Sequence, residues 1–93
     1  MALTVFTDAD QLVGPVYIKH DGQIISISIQ GTFTAGSVLT LERSWGAEDT
    51  YRPVQTYTAA VREQDSACKK GWHYRIRCST YVATDAPSAE IIG

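Results

Sequence analysis

The sequence has no apolar run near the roughly 18 residues that a bilayer-spanning helix needs, so no membrane span is expected. It holds only four leucines and one methionine. No stretch keeps the i, i+3, i+4, i+7 apolar spacing of an amphipathic helix beyond one or two turns. Charge of one sign is also missing: eight basic against ten acidic side chains leave a net −2, which argues against a dedicated nucleic-acid binder. No N-terminal segment combines a basic flank, an apolar stretch and a small-residue cleavage site, so no secretory signal is expected. Two histidines are too few to seed much chemistry. No Ser–His–Asp order, glycine-rich phosphate loop or convincing carboxylate pair is present. The reading is therefore of a non-enzymatic chain with no catalytic residue, no metal site and no cofactor.

What the chain does hold is β-forming. Ile, Val and Thr supply 25 of its 93 residues, and branched side chains fit a pleated, half-buried surface better than a helix. That length makes a single domain with a thin core. Short strands are expected at Ala2–Thr7, Val16–His20, Gln23–Gln30, Ser37–Arg43, Tyr51–Thr58, Trp72–Val82 and Ala89–Ile92. Asp8 is placed to cap one helical turn before Leu12. Asp21-Gly22 carries the strongest hairpin signal, between two β-rich runs. In the third strand Ile25, Ile27 and Ile29 share one face, opposite Ile24, Ser26 and Ser28. Gly46–Thr50 is an acidic turn. Pro53 marks its strand as an edge or a bulge. Ala59–Gly71 reads as the longest polar connection, with room for a short helical turn. The pattern predicts one all-β, antiparallel β-sandwich of about seven strands over residues 1–93, immunoglobulin/fibronectin-III-like or jelly-roll-like, with 1–13 as a candidate N-terminal arm.

Cys68 and Cys78 are expected as free thiols, because an extended strand carries Cys78 about 20 Å from Trp72 and Cys68 would have to fold back along it. A zinc site from Cys68, His73 and Cys78 fails on similar grounds, since His73 and Cys78 point to opposite faces of a strand. His20 beside Asp21 reads as a turn. Asp8, Asp10, Glu48 and Asp49 lack the spacing of a calcium loop.

One charged feature stands out. Lys69, Lys70, His73, Arg75 and Arg77 interleave with Trp72 and Tyr74, with no acid between residues 69 and 77. The alternation turns the aromatics inward and the basic face outward, toward solvent, acids such as Glu42, or a protein partner. Those five residues are the candidate partner-binding site. Single-stranded nucleic acid would need aromatics and arginines on one surface. Sugar binding would need Tyr17, Trp45, Tyr51, Tyr57 and Tyr81 to form an exposed platform.

The segment Gly71–Cys78 resembles the Gly-x-x-Tyr-x-hydrophobic strand of fibronectin-III and immunoglobulin-like sandwiches, where the Tyr often forms a tyrosine corner. Over residues 14–93 the chain is similar to small β-sandwich virion proteins of tailed bacteriophages. The matching positions are Gly31-Thr32-Phe33, Leu41-Glu42-Arg43-Ser44, Val54–Thr58 and Tyr74–Cys78. The resemblance implies a structural role: a head decoration, cement or head-fibre protein on the capsid lattice, or a head–tail or tail component. It further implies other virion proteins as partners, a homo-oligomer or many copies, and a virion location after synthesis in the bacterial cytoplasm. A carbohydrate-binding or adhesin-like module is the alternative. Strand edges around Tyr51–Thr58 are candidates for pairing with another chain.

Overall fold

The computed structural model describes residues 4–45, 51–66 and 68–93. Among these are eight strands: β1 (Thr4–Val5), β2 (Leu12–Tyr17), β3 (Ile25–Gln30), β4 (Val38–Ser44), β5 (Arg52–Tyr57), β6 (Val61–Asp65), β7 (His73–Thr80) and β8 (Ser88–Ile92). They form two four-stranded sheets, ordered β1-β8-β3-β6 (sheet A) and β2-β7-β4-β5 (sheet B). Every pairing is antiparallel. This strand order is the winding of a jelly roll, two Greek keys, rather than the immunoglobulin order. A sandwich is what the sequence predicts, and the topology selects among its forms.

The core lies between the sheets. Ile25, Ile27, Ile29, Ala89 and Ile91 of sheet A face Leu39, Leu41, Tyr57, Tyr74, Ile76 and Cys78 of sheet B, all buried. Each large apolar side chain contributes about 1.5–3 kcal/mol by leaving water. The isoleucine face of β3 is as expected, with Ser26 and Ser28 pointing away from the core.

Several expectations change. The 59–71 segment holds β6, which pairs with β3 from Ile25↔Asp65 to Ile29↔Val61, instead of a helical turn. β2 begins at Leu12 and takes Gly14-Pro15 into a bulge between Val13 and Val16, with a cis peptide at that bond. The Asp21-Gly22 turn closes no hairpin, because β2 and β3 belong to different sheets. It links them, held by Lys70 N–H donating to Asp21 Oδ1 at 2.9 Å and Gly22 N–H to the Cys68 carbonyl at 2.8 Å. The Asp8–Asp10 stretch is a turn. Within the single chain β1 pairs with β8, and Phe6 is buried in the core. The acidic turn 46–50 lies outside the described residues.

Asp85 ends a short 3₁₀ turn, Ala83–Asp85, and is buried. Its carboxylate accepts the N–H groups of Ala35 and Ser37, both at 2.9 Å, and the Thr32 hydroxyl at 3.2 Å. Burial pushes the Asp85 carboxyl up, but these hydrogen bonds outweigh it and hold the group below its ordinary value. The 31–37 loop is thereby tied to the start of β8. Gly31 is required there: its φ is 136°, and a Cβ would come within 2.9 Å of the Asp85 carbonyl oxygen.

Candidate docking faces

Alternation along β7 puts His73, Arg75, Arg77 and Ser79 on the outer face of sheet B, and Tyr74, Ile76 and Cys78 inside. The ladder register sets Glu42 opposite Arg75, Thr40 opposite Arg77 and Ser44 opposite His73. Glu42 divides its carboxylate: Arg75 Nε donates to Oε1 at 2.8 Å and Arg77 Nε to Oε2 at 3.1 Å. Arg77 Nη1 also reaches Asp10 Oδ1 at 3.1 Å. The Glu42 side chain is 8% exposed, against 26% and 34% for Arg75 and Arg77, so the arginines roof over the acid. The hydrogen bond to Glu42 raises the Arg77 pKa further and secures its charge. Two arginines thus meet two acids, and the face carries little net charge.

Of the five predicted basic residues, His73, Arg75 and Arg77 share this face. Lys69 and Lys70 do not. They are exposed in the turn before β7, against Asp21-Gly22 at the end of the sandwich. The face also holds two apolar residues that strand counting separates. Leu12 and Tyr17 are five positions apart, which in a regular strand means opposite sides. The Gly14-Pro15 bulge absorbs one residue, so Leu12 stands opposite Arg77 and Tyr17 opposite His73. They remain 47% and 46% exposed. The Tyr17 ring sits 4.9 Å from that of His73, tilted by 47°.

The aromatic candidates do not form one platform. Tyr57 is buried in the core, the Arg75 guanidinium lies 3.8 Å over the Tyr51 ring, and Arg43 packs between Trp45 and Trp72 at 5.1 and 4.5 Å. Tyr74 makes no tyrosine corner. Among the described residues its hydroxyl makes no hydrogen bond to the backbone, and burial pushes its pKa up to about 12. Cys68 and Cys78 are free and buried, and burial raises both thiol pKa values, which leaves them unreactive near neutrality. His73 is on the opposite side of β7 from Cys78. Among the described residues no group of three or more His, Cys, Asp or Glu side chains is placed to hold a metal ion.

The outer face of sheet A is different. Ser26 and Ser28 of β3 form the floor of a shallow depression of about 570 Å³, with Arg62 and Gln64 of β6 on one bank and Glu90 of β8 on the other. Gln64 Nε2 donates to Ser26 Oγ at 3.2 Å. Arg62, Ser28 and Glu90 fall in one transverse row. Neither Arg62 nor Glu90 forms an ion pair among the described residues.

No protein-family model, curated protein or solved structure matches this chain. Among the described residues the structure defines an eight-stranded jelly-roll sandwich with two distinct outer faces, one with charges paired within the chain beside half-exposed Leu12 and Tyr17 and one carrying separated opposite charges.

Proposed function

We propose that this protein is a non-enzymatic virion component of a tailed phage, a head decoration or cement protein that docks on the capsid lattice through the outer face of sheet B. The observation that carries this reading is the placement of half-exposed Leu12 and Tyr17 in register with Arg77 and His73. Aromatic and arginine side chains around apolar contacts are the composition that protein interfaces favour. The neutralised arginines suit a protein surface better than a polyanion, whose binding rests on uncompensated positive charge. The jelly-roll winding adds support by analogy alone, since it serves capsid and lectin domains alike. A sugar-binding role is less well supported, because Tyr57 is buried and Tyr51 lies under Arg75.

The test is protein mass spectrometry of gradient-purified particles made from the encoding phage genome, with binding of recombinant protein to particles lacking it. Many copies per particle are expected, with rebinding lost in a Leu12→Ser/Tyr17→Ala variant that keeps its β circular dichroism. A chain absent from the particles overturns the reading. Presence at only a few copies would move the protein to the head–tail or tail region.

A further inference from the structure

We infer that the outer face of sheet A is a self-complementary interface between two copies of this chain, in which Arg62 of each copy sits over Glu90 of the other. The inference rests on the reading of a multi-copy assembly protein and specifies how neighbouring copies meet.

The edges of the sandwich are poor places for copies to join, because each carries a device that blocks strand addition. β1 has two residues among those described. β2 is interrupted by the Gly14-Pro15 bulge, and β5 by Pro53 and a register shift opposite Leu41/Glu42. β6 turns Glu63 and Asp65 inward, in register with core residues Ile27 and Ile25. Association is left to the faces. On sheet B the charges of Arg75, Arg77, Glu42 and Asp10 are satisfied within the chain. On sheet A, Arg62 and Glu90 have no ion-pair partner among the described residues, and they flank Ser28 from opposite sides.

Strand spacing puts the Arg62 and Glu90 backbones about 10 Å apart across β3. A two-fold axis lying in the interface along β3 exchanges the β6 and β8 sides, so both Arg62–Glu90 contacts form at once. An axis along the transverse row would set Arg62 on Arg62 and Glu90 on Glu90. Charge therefore selects the axis. The serine floor lets two sheets approach closely, with the depression wide enough to keep bridging waters. The face spans roughly 14 by 17 Å, well below the ~800 Å² per partner of a stable complex. The pairing is accordingly weak in dilute solution and suited to copies already concentrated on a lattice.

Sedimentation velocity from about 10 μM to about 1 mM, in low and high salt, reads the association directly. A concentration-dependent dimer is expected, weakened several-fold by salt. Arg62→Glu and Glu90→Arg each weaken it roughly tenfold, and the double swap restores it to within about threefold, because opposite charges again face each other. Ser28→Trp, at the centre of the depression, abolishes it without altering charge. All four variants change the outer surface of the sandwich, and circular dichroism checks their folding. A protein monomeric throughout, a dimer indifferent to the single reversals, or a double swap no better than the singles overturns the inference. So does a dimer lost with Tyr17→Ala, which would move the contact to sheet B. A monomer that still rebinds particles defeats this interface and leaves the proposed function standing; a charge-dependent dimer absent from particles does the reverse.

Discussion

The Tyr57 hydroxyl donates a 2.5 Å hydrogen bond to Oε1 of Glu63, joining the edge strand β5 of sheet B to the edge strand β6 of sheet A. An acid pointing into a sandwich is costly unless its charge is met. Here a buried phenol meets it, and burial together with the Glu63 contact raises the Tyr57 pKa far above its ordinary value. The pair clamps one side of the sandwich while keeping β6 unattractive to other strands.

Removing the phenol hydroxyl leaves the Glu63 carboxylate short of a donor. Tyr57→Phe is expected to cost about 1–3 kcal/mol in urea unfolding with an unchanged m-value. A loss below a few tenths would mean that solvent replaces the bond at no cost.

Glu42 keeps the arginine face neutral. Glu42→Gln removes the negative charge and one of the two acceptor oxygens that Arg75 and Arg77 use, and is expected to cost about 1–2 kcal/mol, reduced from the value for a fully buried pair because both arginines are partly exposed. The variant should also be retained on a polyanion column at salt concentrations that elute the parent protein. Unchanged retention would mean that the arginines are shielded by something other than Glu42.

Asp85 gives the fold an acid limit. Its folded pKa lies below the unfolded value of about 3.9, so the unfolded chain binds the proton more tightly. Its stabilisation is fully present above the unfolded pKa and fades as pH falls through the folded one. Circular dichroism should show loss of stability below about pH 4, with a shallower pH dependence in Asp85→Asn than in the parent. Equal slopes in the two proteins would assign the acid transition to other carboxylates.

Ile27→Asp should prevent folding. Ile27 is buried between Ile91 and Glu63 in the sheet A ladder, so the new carboxylate would be desolvated beside an existing acid. A loss of about 4 kcal/mol or more is expected, comparable to the whole stability of a small domain. Soluble protein with dispersed amide resonances would refute the strand register.

Local pattern made parts of this molecule legible and hid others for definable reasons. The 25–29 isoleucines alternate with polar residues, and the structure buries them. Pro53 signals an edge or a bulge, and β5 has both. β6 was hidden because Val-Arg-Glu-Gln-Asp has charges at two of its three inward positions, so no apolar alternation marks it as a strand. The outer face of sheet B was half legible. Alternation from Trp72 to Ser79 places His73, Arg75 and Arg77 together, but Lys69 and Lys70 precede the strand and face a different neighbour.

The sequence by itself determined an all-β sandwich, because branched residues with period-two alternation have one economical way to bury an apolar face. Which strands pair was decided by tertiary structure. Asp21-Gly22 has the same local chemistry whether it closes a hairpin or carries the chain from one sheet to the other, and only the packing of Ile18 and Ile25 into a shared core chooses the crossing. The bulge that brings Leu12 and Tyr17 to one side, and the row that places Arg62 and Glu90 across Ser28, depend on partners distant in sequence. Those long-range registers turn a generic sandwich into one with two distinct faces.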